Sequence, residues 1–151
     1  MSAYSAQVIW QCDDSDFLKR RYSREHKWLF DGGISLPASA SPNVVPLPMS
    51  SEQAVDPEEA FIAALSSCHM LFFLDYASRK KISIVSYSDH AQGVMEKNQH
   101  GKIAITRVTL SPEVVYQGDV PEKNTVAQLH HRAHESCFLA NSVKTEIEVK
   151  I

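Results

Sequence analysis

A chain of 151 residues, 44% hydrophobic and 22% charged, is long enough to bury a core without metals or disulfides. Its net charge of −3 and scattered basic residues give no field that would gather a polyanion, which argues against a nucleic-acid partner. The opening MSAYSAQVIWQCDD lacks a basic leader and a long apolar run, and no uninterrupted apolar stretch of about 18 residues follows, so the expectation is a cytoplasmic protein without a membrane role.

Residues 4–10 alternate well enough for a strand, and residues 22–30 supply a second before the turn at Asp31, Gly32 and Gly33, together an amino-terminal antiparallel ribbon. Cys12 lies beside the acidic run Asp13, Asp14, Ser15, Asp16 and reads as a bystander. Residues 38–55 are rich in Ser and Pro, and Pro42, Pro46 and Pro48 remove backbone donors, so a long loop of the functional kind is expected. Residues 56–81 then carry strong helix signals: Asp56 to cap, Pro57 at the first helical position, and Glu58 and Glu59 at the positive end of the dipole. The middle of this helix is apolar on every face and must be covered nearly all round, most simply by a second copy of the chain across a two-fold axis.

Residues 82–87 and 91–97 read as strands, followed by a turn at Asn98 to Gly101 and a strand with Ile103, Ile105, Val108 and Leu110 alternating. Val126, Leu129, Ala133 and Cys137 recur at helical spacing within residues 122–140, the second helix. The closing SVKTEIEVKI alternates Val143, Thr145, Ile147, Val149 and Ile151 against charged neighbours, a half-buried strand. With no repeat, low-complexity tract or clear boundary, the whole reads as one α+β domain over residues 1–151.

Both helices deliver a cysteine. Cys68 and Cys137, brought together by packing, could cycle between dithiol and disulfide, one attacking an oxidant and the other resolving the sulfenic acid. The alternative is that each is a small buried hydrophobe. A reactive Cys68 would need a cation, since apolar surroundings disfavour a thiolate and the helix dipole fades within a turn. Among the six arginines, Arg24 stands out because YSREHKW sets it beside aromatics in a predicted strand, although an exposed strand face is the commoner place for such a residue. Glu58 could hold that arginine through a bidentate pair, or serve only the electrostatics of the helix start. His69, His130, His131 and His134, with the two cysteines, form a competing ligand set for zinc, but no CxxC or HExxH spacing accompanies them, and surface or capping duty is the default reading for each histidine.

DPEEAFIAALSSC, followed by the rest of a long helix, and later AHESCFLANSVKTEIEV, resemble the OsmC/Ohr family of thiol-dependent peroxidases over nearly the whole chain. The resemblance implies an OsmC-like fold, two central helices wrapped by antiparallel sheets in an intertwined homodimer with active sites at the subunit interface. It also implies that Cys68 is peroxidatic, Cys137 resolving, Glu58 the acidic partner of the activating arginine, and Arg24 that arginine. An organic hydroperoxide would be the substrate and a dithiol or lipoyl-type compound the reductant, with no cofactor or metal. The other function class is a non-peroxidase OsmC-like protein that binds a small molecule or a metal in the same interface pocket.

Overall fold

The computed structural model describes residues 1–12 and 15–151, so Asp13 and Asp14 of the acidic run lie outside the described residues. The strands and α-helices run in the order β1 (Gln7–Ile9), β2 (His26–Leu29), β3 (Ser35–Ala38), α1 (Pro57–Arg79), β4 (Ile84–Asp89), β5 (Gln92–Lys97), β6 (Ile103–Leu110), β7 (Pro112–Tyr116), α2 (Lys123–Ser136) and β8 (Glu146–Val149). They fall into two units, Met1–Ala60 and Phe61–Ile151, whose division lies inside α1.

In the first unit β1, β2 and β3 form an antiparallel sheet in that order, with Gln7 opposite Leu29 and Lys27 opposite Pro37. Gly32 at φ 74° and Gly33 at φ 82° make the turn between β2 and β3, backbone that favours residues without a Cβ. No strand is expected at β3 from the sequence, and Pro37 within it cannot donate to a ladder. It is tolerated on this edge, where its carbonyl instead accepts the N–H of Val55 at 3.1 Å. The loop expected at residues 38–55 is present, and its serines replace a ladder: buried Ser39 accepts the Ser51 N–H at 3.1 Å, and buried Ser50 donates to the Val45 carbonyl at 2.7 Å. A capping box closes the start of α1, with the Glu59 N–H donating to Asp56 Oδ1 at 2.8 Å and the Asp56 N–H to Glu59 Oε2 at 3.3 Å.

In the second unit β4 pairs with β7 and β5 with β6, both antiparallel, while β8 lies parallel to β6 with Val108 opposite Ile147. That parallel pair departs from the all-antiparallel expectation. Its cause is connectivity: β7 and α2 intervene between β6 and β8, a crossover long enough to bring the chain back in the same direction. The closing strand alternates as its sequence demands, Val143, Thr145, Ile147 and Val149 half-buried and their neighbours exposed. Leu65, His69, Phe73 and Ala77, four apart on α1, are buried. Phe73 and Ala77 join Leu129 and Ala133 of α2 over Ile84, Tyr87 and Val114, whereas Leu65 joins Val108 and Leu110 over Ile105, Ile147 and Val149. The helix lies close on β5, where a Cβ on Gly93 would come within 2.7 Å of Ile62 Cδ1.

The residues of α1 are apolar well beyond this buried row. With 23 residues, and a mean hydropathy of 1.5 over an 18-residue window, it is long and apolar enough to cross a bilayer by length and composition alone, measures that a core helix also meets. Phe73, fully buried between α2 and Tyr87, is the side chain on which the first of the two cores closes. Replacement by Ala is expected to destabilise the chain by about 3–5 kcal/mol. Urea titration with an unchanged m-value checks this, and a loss under about 1 kcal/mol would mean the helices close over the gap.

Candidate functional site

Two adjacent rows of α1 receive α2. Cys68, Phe72 and Tyr76, each four residues on from the last, meet its carboxyl end: Phe138 sits edge-on to Phe72 at 5.0 Å, and Ser136 Oγ hydrogen-bonds the Tyr76 hydroxyl at 2.6 Å. The neighbouring row meets the helix two turns earlier through His69 and Phe73, where the His130 ring stacks on Phe73 at 4.2 Å. Arg132 lies over the Tyr76 ring at 4.2 Å. Thus α2 passes obliquely over α1, from one row to the other.

This crossing brings the two thiols of the second unit together. α2 ends at Ser136, and Cys137 turns out of the helix at φ −62°, ψ 113° while its N–H still donates to the Ala133 carbonyl at 2.9 Å. Its side chain is buried and lies next to that of half-buried Cys68, close enough for the two thiols to interact, and neither is in a disulfide. Burial pushes the Cys137 thiol up to about 11, the neighbouring Cys68 thiol adds to this, and the Ala140 N–H donating to its sulfur at 3.4 Å opposes it. Cys137 is therefore held protonated, with its S–H available to the sulfur of Cys68.

Beside this pair lies an imidazole pair, formed by two histidines for which the sequence suggests surface or capping duty, with zinc ligation as the alternative. His69 Nε2 and His130 Nδ1 are 3.0 Å apart, with rings 5° from coplanar and centroids 5.3 Å apart. That separation is too long for face-to-face stacking and fits a hydrogen bond in the shared plane. Both residues are buried, at 1% and 3% exposure. Burial pushes each down to about 4; nearby His130 and His134 add to the shift at His69, and the Asp89 carboxylate opposes it at both. Asp89 is itself tied down, accepting from the Ser66 hydroxyl of α1 and from the Ser111 N–H at 2.6 Å. Nδ1 of His69, Nδ1 of His134 and the Tyr87 hydroxyl are buried without a hydrogen-bond partner, and burial raises the Tyr87 phenol. Among the described residues no three His, Cys, Asp or Glu side chains gather where they could hold a metal ion.

The other two candidates belong to the first unit. Arg24 lies just before β2 rather than inside it, its guanidinium 3.6 Å from the Tyr22 ring centroid and its Nη1 donating to the carbonyls of Tyr22 at 2.5 Å and Arg20 at 3.2 Å. It borders a cavity of about 440 Å³ walled by Val8, Trp10, Phe17, Tyr22 and His26. Glu58 takes no part in the capping box, and its Oε2 is buried without a partner. Among the described residues Arg24 and Glu58 make no ion pair with each other.

The sequence profile of the OsmC-like proteins matches residues 50–151, which hold both cysteines and both α-helices. The chain belongs to the OsmC-like protein family. The structure of an OsmC-like protein of unknown function from Vibrio cholerae matches at 52% identity, over 100% of this chain and 99% of that one, with a TM-score of 0.97. An organic hydroperoxide resistance protein from Legionella pneumophila shares the fold at 18% identity, 99% and 96% coverage and a TM-score of 0.69. The organic hydroperoxide resistance protein OhrB of Bacillus subtilis does so at 20% identity, 97% and 98% coverage and a TM-score of 0.66. A comparison with curated proteins returns no match.

The imidazole pair of this OsmC-like protein makes its stability pH-dependent. Because the folded values, about 4, lie below the ordinary 6.5, the unfolded chain binds more protons between the two. The contribution is complete above about pH 6.5 and is lost as the pH falls toward about 4. Between about pH 7 and about pH 5, denaturant midpoints should fall more steeply in the wild type than in the double variant His69→Gln, His130→Asn, by on the order of 1 kcal/mol per pH unit. Equal slopes would show that these imidazoles titrate as exposed ones do.

Proposed function

We propose that this OsmC-like protein is a thiol-dependent peroxidase that reduces organic hydroperoxides to alcohols. The observation that carries the reading is the juxtaposition of the Cys68 and Cys137 side chains, one thiol half-buried and the other buried. Cys68, as thiolate, attacks the outer oxygen of ROOH; the O–O bond breaks, ROH leaves with a proton, and Cys68 becomes a sulfenic acid. The sulfur of Cys137 then attacks that of Cys68, its proton leaves with the hydroxyl as water, and a disulfide remains. A dithiol, lipoyl-type compound reduces the disulfide by two exchanges, so the cycle needs no cofactor or metal.

The difference in burial supports this division of labour. An attacking thiol has to meet substrate, and Cys68 is the more accessible of the two, beside the apolar rings of Phe72 and Phe138. Arg24 is assigned the stabilisation of that thiolate and of the leaving oxygen, and Glu58 the orientation of its guanidinium. Support comes from the buried, unpartnered Oε2 of Glu58, an acceptor that the helix cap leaves unused.

A homodimer completes the reading. Exposed Ala63, Ala64, Ser67 and Leu71 follow one another at helical spacing on α1, a row of small and apolar side chains along which a second helix can approach closely. A protein cycling its thiols in this way suits a reducing cytoplasm.

With one equivalent of an alkyl hydroperoxide, wild-type protein should lose two thiols and form the Cys68–Cys137 disulfide, read by stopped flow and peptide mass mapping. Cys68→Ser should consume no peroxide, and Cys137→Ser should stop at the sulfenic acid. Peroxide consumption that survives Cys68→Ser overturns the reading. Arg24→Ala should slow the first step by about 10- to 100-fold, the worth of a charged hydrogen bond, and leave disulfide closure unchanged. An unchanged first step removes Arg24 from the chemistry.

A further inference from the structure

We propose that the hydrogen bond between His69 and His130 is a positioning device that holds Cys137 against Cys68. The pair rests on different atoms from those of the reaction, and it ties the same two helices one row away from the thiols. The inference builds on the peroxidase reading but is tested without a peroxide.

Geometry makes the connection. His130 and Cys137 are seven residues apart, about two helical turns, so they share one face of α2 and differ in azimuth by only about 20°. Whatever sets the rotation of His130 about the helix axis also sets the direction in which the chain leaves the helix toward Cys137. The apolar contacts beside it, the Phe73 ring on the face of His130 and the buried Leu129, fix no direction within the plane of the imidazole, and Ala133 of α2 and Ala77 of α1 are too small to add relief against sliding or rolling. A bond in the plane of two rings, 3.0 Å long and 5° from coplanar, tolerates neither movement. Tyr76 and Ser136 make the second polar tie, at the helix end beside Cys137, so that α2 is pinned at two points along its length.

The composition of the site favours the same role. Two phenyl rings or leucines would fill this volume without leaving His69 Nδ1 buried and unpartnered. A directional polar contact in a dry interior costs stability and gains specificity of arrangement, which is the property that a pair of reacting side chains requires. His69 also follows Cys68 directly, so its fixed ring leaves the backbone at Cys68 little freedom to turn.

The test is the equilibrium with glutathione. The reaction is protein dithiol plus glutathione disulfide giving protein disulfide plus two glutathione thiols, and its constant is the effective concentration of Cys137 at Cys68. His130→Leu keeps the volume and removes the bond, and should lower that constant by about tenfold, equivalent to about 30 mV. His130→Asn, whose amide occupies the place of Nδ1, should restore it to within about threefold, and His130→Gln, whose amide reaches the place of Nε2, should stay low. Alkylation of Cys68 by iodoacetamide should keep its wild-type rate in all three variants. A folded His130→Leu variant with the wild-type constant overturns the proposal. If that variant does not fold, Asn and Gln variants with equal constants overturn it. If the peroxidase reading is wrong, peroxide leaves the thiols untouched while the glutathione constants still separate as stated.

Discussion

Two sulfur atoms 69 residues apart in the sequence meet because one helix lies obliquely across another. That crossing is the constraint on which the chemistry of this OsmC-like protein depends. Cys68, Phe72 and Tyr76 take the carboxyl end of α2, His69 and Phe73 take its middle, and the chain leaves the helix at Cys137 over the first row. Had α2 run along a single row of α1, the two thiols could still have met, but nothing in the second row would hold their geometry.

The same dry interior sets the electrostatics of every group in the region. It keeps Cys137 protonated and His69 and His130 neutral, one effect acting with opposite sign on an acid and on two bases. Asp89 brings the compensating charge and is itself satisfied by Ser66 and Ser111, so it anchors α1 to the strands instead of pairing with the imidazoles. In the proposed cycle the half-buried thiol attacks and the buried one resolves. The energetic asymmetry is already present in the reduced protein.

The family frame accommodates this arrangement without dictating it. At 52% identity the Vibrio cholerae structure superposes on the full chain, whereas hydroperoxide resistance proteins at 18% and 20% share the fold alone. A fold of two helices over sheets can carry many chemistries, and function has to be read from the site. Here the site adds to the two cysteines a pair of hydrogen-bonded histidines and a tyrosine–serine tie, features of side-chain packing more than of fold.

Much of this protein was legible in its linear order. The helix from Asp56 onward, the second helix bearing Cys137, the Gly32–Gly33 turn and the alternation of the closing strand follow from local grammar, in which cap, dipole and period depend on near neighbours. β3 escaped because Pro37 contradicts a strand unless the strand is an edge, and β8 gave no sign of its parallel partner because direction is decided by the crossover. The histidines show the limit most clearly. Their spacing displayed His130, His134 and Cys137 along one helix face, a pattern that fits surface or capping duty and, less well, metal ligation. Only the tertiary structure placed His69 in the plane of His130 and aimed Cys137 at Cys68, since an interhelical angle and a ring's orientation arise from packing between segments 61 residues apart, about which no local pattern carries information.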